Sequence, residues 1–264
     1  MLDLYHNINS VCAQKVRIAL AEKSLAYSDR ILTLRGDQYE AAYLRLNPNA
    51  VVPTLVHEGR AVIESSVILY YLDEAFPNPP LMPIGLHARA RVRQFNKLID
   101  EYVHNSCMIL TFGTVFRARF AQMDKDAVEA QLSKTRIPKW ADYKRDVIAH
   151  GLGSQYIADA IGAHHKMLKW MDESLESSEY LAGPAFSLAD IAVIPYIYRL
   201  ELLRLDRMWK KYPSISAWYA RVQARPSYQK EITGRMSEAE FAPFNALHNQ
   251  LDPWLQVEVY LKAP

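Results

Sequence analysis

Residues 47 to 56 carry the strongest structural signal in this chain and read Asn47-Pro48-Asn49-Ala50-Val51-Val52-Pro53-Thr54-Leu55-Val56. Pro53 stands directly before a strand-like run, although proline cannot donate a hydrogen bond to a β-ladder. An X-Pro bond at such a junction is a candidate for the cis form, which makes a tight turn. The Val52-Pro53 bond is therefore a candidate cis peptide, whose turn would direct the preceding backbone groups outward.

An acid and a hydroxyl, Glu64 and Ser65, follow the turn and open a helix. Taken alone, Ser65 is an ordinary N-cap and Glu64 an ordinary exposed acid. Taken together, Ser65 and the first amides of the helix would bind a carboxylate, and Glu64 would pair with an ammonium group. Combined with Val52-Pro53, they predict a site for the backbone and charged ends of a small peptide.

The stretches around this site alternate strand and helix patterns from residue 1 to about residue 76. The apolar spacing and the turn residues predict seven elements in the order strand, helix, strand, helix, strand, strand, helix. Their expected ranges are 2–5, 11–23, 27–34, 37–46, 54–57, 60–63 and 65–75.

Four prolines fall within seven residues, at positions 77, 79, 80 and 83. Such a cluster prevents regular helix, so residues 77–84 are expected to be a linker between a domain at 1–76 and a domain at 85–264. Beyond it the pattern is helical, with five or six helices expected, the long ones at 86–121 and 154–176. Ser187-Leu188-Ala189-Asp190 predicts a capping box, and Pro213 and Pro226 mark further helix boundaries.

Composition excludes several classes of function. The formal net charge is +2 and basic residues are interleaved with acids, which gives no indication of a nucleic-acid partner. No apolar run is long enough to cross a bilayer, and the N-terminus lacks a signal-peptide pattern. Cys12 and Cys107 provide neither a disulfide framework nor the spacing of a metal site. We therefore expect a cytoplasmic protein without a metal, nucleic-acid or membrane partner.

Ser10 and Cys12 are the two candidate catalytic side chains at the start of the first helix. Ser10 is expected at the N-cap, where it either only caps the helix or also donates its hydroxyl to an anion. Such surroundings lower the pKa of a bound thiol and favour the thiolate. Cys12 is expected to face the core as a small buried hydrophobic residue, and the absence of a Cys-x-x-Cys pair argues against dithiol chemistry.

These motifs together resemble the cytosolic glutathione transferase family. The resemblance rests on residues 10–20, Asn47-Pro48, Val52-Pro53 and Glu64-Ser65, and on the capping box at 187–190, which is similar to that of the family's helical domain. It implies an α/β thioredoxin-like N-terminal domain, an all-α C-terminal domain, glutathione as cosubstrate and a homodimer.

The resemblance also implies roles for six residues. Ser10 matches the serine that hydrogen-bonds the glutathione sulfur, and Val11 departs from the Ser or Pro common at the next position, which leaves the class open. The glutathione-binding positions are then Ser10, Gln38, Val52, Pro53, Glu64 and Ser65. Among them, Val52 would pair with the cysteinyl backbone, Pro53 is the cis-proline, and Gln38 would lie near the glycyl carboxylate.

The helical half resembles the bacterial lignin β-etherase branch of the family. The resemblance lies in Asp100-Glu101-Tyr102, the aromatic region 112–120 and the insertion 136–140. Residues 235–264 form a tail that either packs on the helical core or helps to cover an aromatic substrate pocket. Its aromatic residues are Phe241, Phe244, Trp254 and Tyr260.

The sequence thus predicts a detoxifying glutathione transferase. Ser10 would favour the glutathione thiolate, which attacks a small hydrophobic, aromatic electrophile in conjugation, ether cleavage or dehalogenation. Two alternatives stay open at this point. One is glutathione-dependent thiol–disulfide exchange through Cys12, and the other is a non-catalytic glutathione-binding scaffold.

Overall fold

The structure is a computed structural model that describes residues 1–248 and 252–261. The chain forms two compact units. Unit 1 comprises Met1–Asn96, Ser174–Pro195 and Ala217–Glu240, and unit 2 comprises Lys97–Glu173, Tyr196–Ser216 and Phe241–Pro264. All of the expected N-terminal domain, residues 1–76, lies in unit 1.

Unit 1 contains a four-stranded mixed sheet in the order β2-β1-β3-β4. β1 pairs in parallel with β2 and antiparallel with β3, which pairs antiparallel with β4. The strands are β1 Leu2–His6, β2 Ser28–Ile31, β3 Thr54–His57 and β4 Arg60–Ile63. This sheet and its helices confirm the thioredoxin-like α/β fold predicted for the N-terminal part.

The side chains of β1 alternate between the two faces of the sheet, and each face packs against other residues of unit 1. Leu4 and His6 are buried on one face, where His6 contacts Arg17 of the first helix. Tyr5 points to the opposite face and packs against Tyr43, with ring centres 5.7 Å apart. Side chains therefore pack on both faces of this strand.

The helices of the described residues fall in two sets. In residues 1–84 they are α1 Val11–Glu22, α2 Ala41–Leu44 and α3 Ser65–Ala75, with a 3₁₀ turn at Asp37–Tyr39. Beyond residue 84 they are α4 Leu86–Leu98, α5 His104–Thr111, α6 Arg117–Phe120, α7 Lys125–Leu132, α8 Pro138–His150, α9 Ile157–Leu175, α10 Leu188–Leu202, α11 Arg207–Lys210, α12 Pro213–Gln223, α13 Pro226–Glu231, α14 Glu238–His248 and α15 Trp254–Val257. The second set confirms a helical C-terminal part but contains more helices than the five or six expected.

Two elements of the N-terminal part are shorter than predicted. β2 ends at Ile31 because the chain then turns, with Leu34 at a φ of 58°. The helix expected at 37–46 is divided at Glu40, whose extended backbone (ψ 141°) separates the 3₁₀ turn from α2.

The long helix expected at 86–121 is present but is not a regular α-helix throughout. Turns of π-helix at Ile99–Val103 and Phe112–Phe116 separate α4, α5 and α6. Hydroxyl groups of Thr111 and Thr114 donate to the carbonyl oxygens four residues earlier. Such side-chain bonds compete with the backbone ladder and bend helices.

The capping box at the start of α10 is confirmed. The Asp190 carboxylate accepts from the backbone N–H of Ser187 (2.9 Å) and from its hydroxyl (3.0 Å). The same carboxylate also accepts from the Leu181 backbone N–H and the Trp218 indole N–H, at 3.0 and 2.9 Å. Asp190 is fully buried, so one carboxylate satisfies four donors inside unit 1.

His164 of α9 is a buried histidine of unit 2. Its Nδ1 atom lies 2.8 Å from the Ala160 carbonyl oxygen, and burial lowers the pKa of the ring to about 4. The neutral ring is the form that the folded protein accommodates.

This burial predicts a loss of stability in acid. Below pH 6.5 the unfolded chain binds a proton at His164 that the folded protein does not, so the free energy of unfolding falls by up to ~3 kcal/mol between pH 6.5 and about 4. Denaturant titrations of the wild type and His164→Leu across this range measure the effect. The variant is expected to show a shallower decline, whereas His87→Gln, at an exposed position, is expected to match the wild type.

In the part of the chain that the structure describes, no helix is long and apolar enough to cross a membrane.

Candidate functional site

Strand register brings the predicted site residues to one edge of the sheet in unit 1. Tyr5 pairs with Thr54, and Thr54 pairs with Ile63. The chain therefore leaves β1, enters β3 and leaves β4 at the same edge, which is where residues 7–10, 52–53 and 64–65 lie. Because β2 runs parallel to β1, the segment after β2, which includes Gln38, leaves from this edge as well.

Ser10 is the N-cap of α1, as expected. Its backbone is extended (φ −71°, ψ 116°), and its hydroxyl oxygen accepts from the Ala13 backbone N–H at 3.3 Å. The hydroxyl hydrogen remains available to donate to a second group, since a hydroxyl is both donor and acceptor. The positive end of the α1 dipole adds to this preference for an anion.

The Val52-Pro53 peptide is cis, which confirms the prediction. Val52 is buried in a small cluster with Leu32 and Tyr43. The carbonyl oxygen just before it, on Val51, accepts from the Tyr43 hydroxyl at 2.5 Å and from the Asn47 amide at 2.9 Å. The turn is thus held by side chains from the preceding helix and loop.

The backbone of Val52 itself has no hydrogen-bond partner among the described residues. Among the hydrogen bonds of the described residues, none uses its N–H or its carbonyl group. Buried backbone groups are nearly always paired, so this position is suited to hydrogen-bond the backbone of a peptide ligand.

Glu64 has an unusual backbone conformation for a residue other than glycine, with φ 67° and ψ 114°. Such conformations cost about 1–3 kcal/mol and are concentrated at functional sites. The Asn49 amide group lies 3.4 Å from the Glu64 carboxylate, and this contact joins the two predicted motifs.

Ser65 follows as the first residue of α3 and is buried. The N-cap residue of this helix makes no side-chain capping bond. The start of α3 therefore lacks the usual intramolecular cap, which suits it to a carboxylate ligand.

Gln38 lies in the 3₁₀ turn and is largely buried, and its Oε1 atom accepts from the Gly36 backbone N–H at 3.0 Å. In the described residues it shares no hydrogen bond with the other predicted site residues. Its role near a glycyl carboxylate stays a prediction.

The expectation that Cys12 is buried is wrong. Cys12 is partly exposed, whereas Cys107 is buried. The neighbours of Cys12 in the same turn, Val11 and Ala13, are buried, so Cys12 lies on the less covered side of the first turn of α1. Exposure removes one argument against chemistry at this thiol.

Arg17 is a positioning residue that the sequence analysis missed. It is fully buried and donates to the carbonyl oxygens of Asn7 (3.2 Å) and Ile8 (3.0 Å), in the loop that leads to Ser10. It also donates to the carbonyl oxygen of Glu231 at 3.0 Å, and burial lowers its pKa to about 10. A charged residue among the apolar positions of α1 was the available signal.

The tail contributes a second contact to this loop. Asn9, next to Ser10, donates to the carboxylate of Glu240 in α14. Within unit 2, Phe244 is fully buried, with the Arg199 guanidinium 5.3 Å from its ring centre. For Phe244 this favours packing on the helical core, and the covering of an aromatic pocket stays a prediction.

No group of three or more His, Cys, Asp and Glu side chains within residues 1–248 and 252–261 is arranged to hold a metal ion.

Two family models match the chain. The glutathione S-transferase N-terminal domain matches residues 4–80, and the glutathione S-transferase C-terminal domain matches residues 148–226. The two matches fall on the strands of the sheet with α1 to α3 and on α9 to α12.

Similar proteins agree with these matches. A probable maleylacetoacetate isomerase of Vibrio cholerae is 29% identical, covering 90% of this chain and 98% of its own length. The β-etherase LigF of Sphingobium sp. strain SYK-6 has a crystal structure that matches with a TM-score of 0.77 and 25% identity, over 88% of this chain and 99% of that one. A theta class glutathione S-transferase of Xanthomonas axonopodis pv. citri with glutathione bound matches at a TM-score of 0.64 and 25% identity, over 88% and 96%.

Proposed function

Because the chain belongs to the glutathione S-transferase family, whose cosubstrate is glutathione, we propose that it activates the glutathione thiol for attack on a hydrophobic, aromatic electrophile. The supporting observation is the convergence at one sheet edge of a hydroxyl at a helix N-terminus, an unpaired strand-like backbone and an uncapped helix start.

Each part of glutathione has a matching group at this edge. The Val52 backbone is suited to pair with the cysteinyl residue in the manner of an added strand. The α-carboxylate of the γ-glutamyl group would bind at Ser65 and the first turn of α3, and its ammonium group at the Glu64 carboxylate. Gln38 is the proposed neighbour of the glycyl carboxylate.

The chemical step needs no covalent bond to the protein. Ser10 donates its hydroxyl hydrogen to the sulfur, and the N-terminus of α1 favours its negative charge, so the thiol proton passes to solvent. The thiolate then forms a carbon–sulfur bond with the electrophile. In ether cleavage and dehalogenation the leaving group departs with the electron pair, and in a conjugate acceptor the pair moves onto the acceptor carbon, which takes a proton from solvent. Preorganised donors of this kind accelerate reactions by stabilising developing or retained charge.

The chemical class of the electrophile is the most specific part of the proposal. Relatives include proteins described as a maleylacetoacetate isomerase and as a β-etherase, so the family match leaves conjugation, ether cleavage and dehalogenation open. Unit 2 groups aromatic rings at 112–120, which favours an aromatic electrophile. The ring centre of Phe112 lies 5.2 Å from that of Phe116 and 5.9 Å from that of Phe120.

A panel assay separates this function from thiol–disulfide exchange. The purified protein is incubated with glutathione and, in turn, a β-aryl ether, an aryl halide, a conjugate acceptor and a mixed disulfide. We expect turnover of at least one carbon electrophile, and we expect Cys12→Ala to retain more than about half of it, because the partly exposed thiol takes no part in the proposed step.

Two results of the panel would contradict the proposal. Turnover of the disulfide alone, lost in Cys12→Ala, would establish the exchange reaction. Glutathione binding without turnover of any compound would favour a scaffold.

The proposed assembly is a homodimer, since the family is typically dimeric. Unit 1 exposes apolar side chains that such an interface could cover, among them Val67, Ile84 and Leu86. A cytoplasmic location and a role in detoxification stay predictions.

A further inference from the structure

Lys144 lies in α8, within a stretch that neither family model matches. Its ammonium nitrogen is 4.9 Å from the ring centre of Phe112 and 5.8 Å from that of Trp140. Both distances fall within the range of about 6 Å over which a cation interacts with an aromatic face. The ammonium group is therefore held against two rings inside unit 2.

Both rings are fixed by further contacts. The Trp140 indole N–H donates to the Asn105 side-chain oxygen at 2.8 Å, and the His104 ring packs on Trp140 at 5.6 Å. Phe112 meets Phe116 edge to face, with an angle of 82° between the rings. The aromatic surface around Lys144 is thus built by α5, the second π-turn and α8 together.

Lys144 has no acidic partner among the residues that the structure describes. In residues 1–248 and 252–261 it takes part in no hydrogen bond and no ion pair, and the acids nearby are bound to other groups. Glu129 and Asp142 pair with Arg145, and Asp146 accepts from Gln155 at 3.1 Å.

Burial lowers the pKa of Lys144 to about 8, and no neighbouring charge contributes to this shift. A cation that is withdrawn from water without a counter-ion is unfavourable. An anion that arrives at this place gains an ion pair without displacing a carboxylate of the protein.

We propose that Lys144, Phe112 and Trp140 form a binding site for a small aromatic carboxylate. The carboxylate pairs with the ammonium group, and the aromatic ring of the ligand packs on the two protein rings. The site shares Phe112 with the rings at 112–120 that favour an aromatic electrophile, and it goes beyond the proposed function by assigning a partner to a carboxylate. Binding of the carboxylate itself requires no glutathione.

A second lysine of unit 2 provides a matched control. The ammonium of Lys166 lies 5.0 Å from the ring centre of Tyr102 and 5.6 Å from that of Trp170, so it also faces two rings. Lys166 is exposed, however, and water competes there with any bound anion. The two lysines differ in burial and resemble each other in ring contacts.

The test is calorimetric titration of the whole protein with benzoate in the absence of glutathione. Benzamide keeps the ring and lacks the charge, and cyclohexanecarboxylate keeps the charge and lacks the ring. Benzoate is expected to bind at least about tenfold more tightly than benzamide and about threefold more tightly than cyclohexanecarboxylate. Lys144→Met is expected to weaken benzoate binding about tenfold or more and to leave benzamide within twofold, while Lys166→Met changes neither.

Three outcomes would overturn the site: no benzoate binding by the wild type, wild-type affinity in Lys144→Met, or an equal loss in Lys166→Met. Thermal melting confirms that each variant is folded. If Lys144→Met fails to fold, Lys144→Gln removes the same charge with a polar side chain and is expected to show the same loss. Each of these failures leaves the glutathione proposal standing, because that proposal is tested at Ser10.

Discussion

Replacement of Ser10 by alanine is expected to lower turnover about 10²- to 10³-fold while changing the Michaelis constant for glutathione only modestly. The hydroxyl is the one side-chain donor that we assign to the sulfur, and removal of one such donor has an effect of this size in other enzymes. Most of the contacts proposed for glutathione lie elsewhere on the sheet edge, so binding is retained. Steady-state kinetics give the two constants, and the ultraviolet absorbance of the bound thiolate reports a raised thiol pKa.

The effect of Ser10 on stability, as the N-cap of α1, must be separated from its effect on turnover. Alanine at an N-cap costs about 1 kcal/mol of stability, whereas glycine costs only a few tenths. Ser10→Gly is therefore expected to lose turnover like Ser10→Ala but to melt close to the wild type, and Ser10→Thr is expected to recover much of the rate. Unchanged turnover in both Ser10→Ala and Ser10→Gly would remove Ser10 from the catalytic role.

Replacement of Asp190 by alanine is expected to reduce the free energy of unfolding by about 3–5 kcal/mol. The substitution leaves the backbone N–H groups of Ser187 and Leu181 and the Trp218 indole without their acceptor inside unit 1. Each buried unsatisfied donor costs about 1–3 kcal/mol. Denaturant titration followed by circular dichroism measures the loss.

Ser187→Ala provides a comparison for the size of this loss. It removes the hydroxyl that accepts from the Ala189 N–H and retains the Asp190 carboxylate. A loss of about 1 kcal/mol is expected there. If Asp190→Ala is no more destabilising than Ser187→Ala, the four-donor arrangement does not stabilise the fold in the way that the geometry indicates.

The N-terminal fold was predictable because its signals are local. Apolar spacing, the prolines and the turn residues give the order of strands and helices, and they mark Val52-Pro53 as a candidate for the cis peptide that the structure contains. Boundaries were less predictable where backbone conformation decides them, as at Leu34 and Glu40. The long helix after the proline cluster was predicted, but the apolar pattern does not show its π-turns, the second of which is accompanied by hydroxyl contacts of Thr111 and Thr114.

The sequence alone indicated the family, the residues expected to bind glutathione and the cap that begins α10. Each of these conclusions rests on short motifs whose residues are close together in the chain. Tertiary structure decided what depends on distant partners. Arg17 binds the loop before Ser10, Cys12 is partly exposed, and Asn49 contacts Glu64. Lys144 lies against two rings and has no acidic partner within residues 1–248 and 252–261. Burial and charge pairing belong to the folded chain, since residues far apart in sequence create both.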